Sequence, residues 1–340
     1  MKTRKQLLIP LLLTVLAFGG ILAIATFYDL KISDILTSYA LSDGTYYSDQ
    51  WFGATFAIIG SAPVYLGFAL GFHILFHYAE RNYTGAKKTV LMILMSVLSL
   101  VAYYVLVSDV FRYFNEVTLK EYRVIFASGG HFSNLVFLAC GMGLTVQGTL
   151  AVNNLNDDTV KRLFRFAVAV ILIAAIPTIL INLVFKSPIG RIRYRAMNLY
   201  PDDPKIGFAA FSRWYEWKGQ WLDKDTMMAY WGNTDVLKSC PSGHTSAAAT
   251  SYALILLNDV LDIKSKKIRF LNRAVPVIWT GLVALSRIVV GAHFLSDVLL
   301  GSSLTYLTVI IVREIVICRG ENVRVLLGKT AKAEKTEDNG

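Results

Sequence analysis

Apolar residues in this chain gather in long blocks separated by short polar segments, and each block is close to the ~20 residues needed to cross a hydrocarbon layer. Windows of about 19 residues place eight candidate helices at 6–28, 52–78, 88–108, 131–149, 164–185, 243–261, 272–290 and 293–316. The fourth is diluted by Gly141, Gly143 and Gln147. The pattern predicts an all-α, polytopic membrane helix bundle of about eight transmembrane helices. The first block follows Lys2, Arg4 and Lys5 and contains Ala23-Ile24-Ala25, as a cleaved leader would. A leader has only ~7–15 apolar residues, fewer than this run, so an uncleaved helix is expected.

Composition agrees: 54% of residues are apolar and 17% charged, against roughly 45–50% and about 25% in soluble domains. The net charge of +10 does not point to nucleic acid, because Lys and Arg lie in short segments between blocks and not on one continuous basic surface. The bilayer and its anionic headgroups are the expected partners. Cys140, Cys240 and Cys318 are odd in number and form no metal or redox motif.

The basic residues also predict orientation. Arg81, Lys87 and Lys88, then Lys161, Arg162 and Arg165, then Lys264, Lys266, Lys267, Arg269 and Arg273 fall in alternate segments. The segment from Asp29 to Trp51 carries Lys31 alone beside four aspartates. The positive-inside rule then places both termini in the cytoplasm. One connection, at about 186–242, breaks the pattern: it is long, basic and expected outside. Connections beyond ~12–15 residues usually serve a function.

Three polar islands lie where the chain leaves or enters the predicted spans: Lys186-Ser-Pro-Ile-Gly190-Arg191-Ile-Arg193; Pro241-Ser242-Gly243-His244; and Ser286-Arg287, five residues, His293, three residues, Asp297. Read as helix, His293 and Asp297 share a face, so Asp297 is expected to accept from one ring nitrogen of His293 and leave the other as a nucleophile. Gly243 lets backbone approach an anion at a helix start, and His244 stands ready to protonate a leaving oxygen. Lys186, Arg193 and Arg287 supply cations for a phosphoryl group. Two histidines, an aspartate and three cations on one membrane face are the inventory for phosphoryl transfer through a phosphohistidine. No acidic cluster for two catalytic metals is evident in the sequence, and no cofactor is expected.

These motifs resemble the type 2 phosphatidic acid phosphatase superfamily, whose pattern is Lys, six residues, Arg-Pro; Pro-Ser-Gly-His; and Ser-Arg, five residues, His, three residues, Asp. The second and third parts match in full, and the first matches at Lys186 and Arg193 with Tyr194 in place of proline. The resemblance implies His293 as nucleophile, Asp297 as its partner, and His244 as acid and then base. Phosphate would be held by Lys186, Arg193, Ser242, Gly243 and Arg287. It implies a six-helix phosphatase core at 86–318 containing the extracytoplasmic loop, an additional helix pair at 1–85 and a cytoplasmic tail at 319–340. The implied activity is hydrolysis of a lipid phosphate or diphosphate. The motifs also occur in soluble vanadium-dependent haloperoxidases, against which the spans argue, and in lipid phosphotransferases. An anion transporter is a further alternative, but it would place charges near the midplane between repeated halves, and no internal repeat is visible.

Two other features stand out. Phe211, Trp214, Trp217 and Trp221 recur near helical spacing and suggest an amphipathic interfacial helix. His73 and His77, four apart, lack a third ligand and read as structural.

Overall fold

The computed structural model describes residues 4–37, 51–118, 131–232 and 234–328, so the polar tail from Lys329 to Gly340 lies outside the described residues. Among the described residues there are helices and connecting turns and no strand. Seven helical segments are long and apolar enough to cross a membrane, and the chain is a multi-pass membrane protein.

Helix α1 (Arg4–Thr37) runs well past the expected end at residue 28. At ~1.5 Å per residue its length is about 51 Å, more than the ~30 Å hydrocarbon thickness. Its apolar residues face outward: Leu13, Leu16 and Phe27 are all exposed. Its buried residues are Ala25, Asp29, Ser33 and Thr37, which recur every four positions and line a single stripe. The apolar signal stops at residue 28, but Asp29 of that stripe pairs with Arg191 and Ser296 and the helix continues.

Helices α2 (Trp51–Ile59) and α3 (Ala62–Asn82) form one pass with a break at Gly60 and Ser61. Pro63 sits in the first turn of α3, where its missing N–H is no loss. Helices α4 (Gly85–Thr118) and α5 (His131–Asn153) follow. Helix α6 (Asp157–Ile179) is capped by Asn156, whose side chain accepts from the Thr159 N–H at 2.8 Å. It is the core helix: Phe166, Val170 and Ile173 pack with Ile74, Leu256, Val309 and Val312.

After α6 the chain makes a π turn (Leu180–Phe185) and one further helical turn, α7 (Lys186–Ile189), which Gly190 ends with a φ of 60°. Short helices α8 (Tyr194–Asn198) and α9 (Lys224–Trp231) belong to the long connection. The sixth expected span is helical but divided: α10 (Gly243–Ala249), a 3₁₀ turn (Thr250–Ala253) and α11 (Leu254–Val260). Ser251 donates to the Ala248 carbonyl at 2.7 Å, the kind of side-chain competition that interrupts a helix. This sixth pass contacts α3, α12 (Lys266–Val289) and α13 (Leu295–Val312). The chain ends its described course in a second π turn and α14 (Glu321–Leu326).

The long connection folds on itself around Ile192, Met197, Ile206, Leu222, Met227 and Phe294. The expected amphipathic helix over Phe211–Trp221 does not form; those residues run as turns and extended chain. A partly buried indole needs an acceptor for its N–H, and inward folding supplies them. Trp214 donates to Thr26 Oγ1 at 2.9 Å, Trp221 to the Gly190 carbonyl at 3.0 Å and Trp231 to the Ala196 carbonyl at 3.2 Å.

Candidate active site

The three sequence islands meet where α7, α12 and the loops before α10 and α13 converge. Gly190 makes the first approach possible. A Cβ there would lie 1.6 Å from the Gly219 carbonyl oxygen, so only glycine admits both the left-handed backbone and the neighbouring strand of loop. Two backbone bonds fasten that contact, Lys218 N–H to the Ile189 carbonyl at 3.1 Å and Gly219 N–H to the Pro188 carbonyl at 2.9 Å. Lys186 is thereby held with its ammonium donating to Asn182 Oδ1 at 3.0 Å. Its Nζ lies 3.2 Å from where a Gly243 Cβ would stand, so the glycine of the second island keeps room for the lysine of the first.

Ser242 is the N-cap of α10: it is buried and its hydroxyl pairs with Thr245 Oγ1 at 3.0 Å. Gly301 of α13 receives this loop closely, since a Cβ there would be 2.4 Å from the Ser242 carbonyl oxygen. His244 stands in the first turn of α10 with its ring 5.0 Å, centre to centre, from Tyr113. Its Nε2 is buried without a hydrogen-bond partner.

The geometry of His293 differs from the expected helix pair. His293 lies in the turn before α13, which begins at Leu295, so the two side chains do not stack on one helix face. Its Nδ1–H donates to the Ser239 carbonyl at 2.5 Å, and Asp297 Oδ2 is 4.0 Å away. Asp297 is instead the third residue of α13, where it accepts from the Phe294 N–H at 2.9 Å and so satisfies one donor at the helix start. It also accepts from the Ser239 hydroxyl at 2.5 Å. Asp297 therefore orients His293 through Ser239. The tautomer is the one expected from the sequence, because a carbonyl can only accept, and Nε2 is left free to act. Burial pushes the His293 imidazole well below its ordinary pKa, and nearby Arg193, Lys186 and His244 push the same way. The ring is neutral near pH 7, as a nucleophile must be.

The cations surround this pair of histidines. Arg193 donates from Nε to the Asp235 carbonyl at 2.9 Å and from NH1 to the Ala292 carbonyl at 3.3 Å, one residue from His293. Arg287 donates from NH2 to the Gly53 carbonyl of α2 at 2.8 Å, and its own carbonyl accepts the His293 N–H at 3.2 Å. Tyr194 takes the first position of α8, where proline is also favoured, so the departure from the family pattern leaves the helix start intact. Its hydroxyl donates to Asp34 of α1 at 3.0 Å.

Two residues that brace this site escaped sequence reasoning. Arg191 is wholly buried between two carboxylates, donating to Asp297 at 2.6 Å and to Asp29 at 2.9 Å. Its guanidinium also bonds Ser296 Oγ at 2.7 Å and the Ser212 carbonyl at 2.8 Å, and lies 4.1 Å from the Phe294 ring centre. Asp29 in turn accepts from the Ser296 N–H at 2.9 Å. Only the alternation of Arg191 with Arg193, and a charged residue inside an otherwise apolar first helix, hinted at either. Cys240, directly before Pro241, is fully buried, and burial pushes its thiol pKa up.

Residues 166–319 match the family model described as the PAP2 superfamily. This region is similar to that superfamily. Searches of curated proteins and of solved structures return no match. The PAP2 region begins within α6 and ends after α13, so it contains all three islands, while α1 to α5 precede it. The match supports, at a coarse level, a phosphoric-ester hydrolase activity. His73 and His77 lie on α3, outside the PAP2 region, and are engaged structurally. His77 Nε2 donates to the Thr149 carbonyl at 2.8 Å and Nδ1 lies 2.8 Å from Glu80, while His73 Nδ1 is 3.3 Å from Thr149 Oγ1.

Proposed function

We propose that this protein is a phosphatase of lipid phosphates or diphosphates that works through a phosphohistidine on His293, at the extracytoplasmic face. The observation that carries the reading is the pairing of His293, whose Nδ1 is tied to Ser239 and whose Nε2 is free, with the buried, unpartnered Nε2 of His244. In this reading Nε2 of His293 attacks phosphorus as the bond to the leaving oxygen breaks. His244, protonated at that moment, gives its proton to that oxygen. Lys186, Arg193 and Arg287 offset charge on the equatorial oxygens. Asp297, 4.0 Å from the ring, stabilises the cationic imidazole that forms. Water then attacks phosphorus, His244 takes its proton, the N–P bond breaks and inorganic phosphate leaves.

A lipid substrate is supported by the membrane spans converging on the site. The basic segments 81–88, 161–165 and 264–273, all at the opposite helix ends, support an extracytoplasmic location.

The test is phosphate release from a panel of lipid phosphates by the purified full chain in detergent with EDTA. Wild type should release phosphate, and His293→Ala and His244→Ala should each lose at least about 10²-fold. Release that requires added metal, or that survives His293→Ala, contradicts the mechanism.

A further inference from the structure

Between α1, α13 and the aromatic part of the long connection lies an apolar groove of about 420 Å³, within the ~300–1,000 Å³ range of ligand sites. Leu11 and Val15 of α1 form one wall and Leu304 of α13 another. Its remaining lining includes Ile189 and Pro241. Those two residues are the significant ones. Ile189 is three positions after Lys186, and Pro241 is three before His244. Trp214, also in the lining, is fixed by its hydrogen bond to Thr26 of α1.

We infer that this groove seats the hydrocarbon chain of the substrate whose phosphate lies among the islands, a reading that rests on the function proposed above. A chain leaving a phosphate between Lys186 and His244 meets Ile189 and Pro241 first and then lies along α13. The lining from Leu300 to Ile310 spans about 15 Å at ~1.5 Å per residue. Both helical walls are membrane spans with exposed apolar residues such as Leu16 and Leu307. The groove is therefore open to bilayer lipid along its length, and a chain can slide in sideways without crossing water. Transfer from bilayer to groove exchanges one apolar setting for another and adds little affinity. The groove's effect is selection: it admits an extended chain and fixes its direction relative to His293. Helix α1, which precedes the PAP2 region, thus contributes to substrate choice.

The experiment uses a homologous series of n-alkyl phosphates, from butyl to dodecyl, kept monomeric, with the full chain in lipid nanodiscs. For wild type, kcat/KM should rise with chain length by up to about fourfold per methylene, the gain coming from leaving water for the bilayer and the groove together. Ser303→Phe and Val15→Trp each place an aromatic ring in the groove from opposite walls. Each should lower the dodecyl-to-butyl ratio of kcat/KM at least tenfold, with partitioning cancelled by comparison with wild type. Leu304→Ala, which widens the groove, should raise the ratio for a branched chain over its linear isomer. Ratios equal to wild type in all three variants would overturn the inference and leave the groove filled by bulk bilayer lipid. His293→Ala separates the two readings: alkyl phosphates hydrolysed equally well without His293 would refute the proposed site itself.

Discussion

His293 is buried as a neutral ring among cations, and this has a consequence for stability. Its pKa is depressed in the folded protein, first by burial and then by Arg193, Lys186 and His244. Below about pH 6.5 the unfolded chain takes up a proton that the folded site refuses, so stability falls as pH drops. The slope from this group approaches at most about 1.4 kcal/mol per pH unit. His293→Gln removes the titrating group, so its unfolding temperature should fall less than that of wild type between pH 7 and pH 5. Equal falls would mean that His293 is not held neutral. Asp29 bears a second residue-scale prediction. Removing one member of a buried ion pair costs roughly 3–5 kcal/mol, and Arg191 retains Asp297 when Asp29 is lost. Asp29→Ala should therefore destabilise by less than that range, and should lower kcat more than it raises KM because Asp297 and Ser296 lose their shared brace. A loss of stability with kcat intact would confine Asp29 to a structural role.

At the scale of elements, the site depends on irregular chain between helices. The π turn at Leu180–Phe185 and the one-turn α7 carry Lys186 beyond the last regular turn of α6, an irregularity of the kind found at functional sites. Gly190 then ends α7 and meets Gly219. Gly190→Ala would need a left-handed alanine, itself worth roughly 1–2 kcal/mol, and would overlap the Gly219 carbonyl. The long connection should lose its docking onto α7: limited proteolysis within 205–232 should accelerate, and activity should drop with it, while the spans remain folded. An unchanged cleavage rate would show that the Gly190–Gly219 contact does not hold the loop.

For the whole molecule, the passes alternate in direction, so the first residues of α1 and helix α14 lie at the end opposite the site. With the basic segments inside, the proposed orientation puts Lys224 of α9 outside and Arg324 of α14 in the cytoplasm. In cells, Lys224→Cys should react with a membrane-impermeant maleimide, and Arg324→Cys should react only after permeabilisation. The reverse pattern would invert the topology and move the site to the cytoplasm.

The sequence by itself determined the fold class, the positions of seven long spans and the residues of the three islands. Hydrophobic length is a local property, and the island motifs are short enough to read along the chain. Tertiary structure decided what those residues touch. His293 falls in a turn, so Asp297 reaches it through Ser239, a residue with no local signal. Arg191 and Asp29 are separated by 162 positions, and no sequence period links them. Helix α1 outlasts its apolar run because Asp29 and Asp34 are paired by residues distant in sequence, and Trp214, Trp221 and Trp231 fold inward because their N–H groups find acceptors there. Hydrogen bonds between segments far apart in sequence depend on how the passes pack, and packing is fixed only when the whole bundle is assembled.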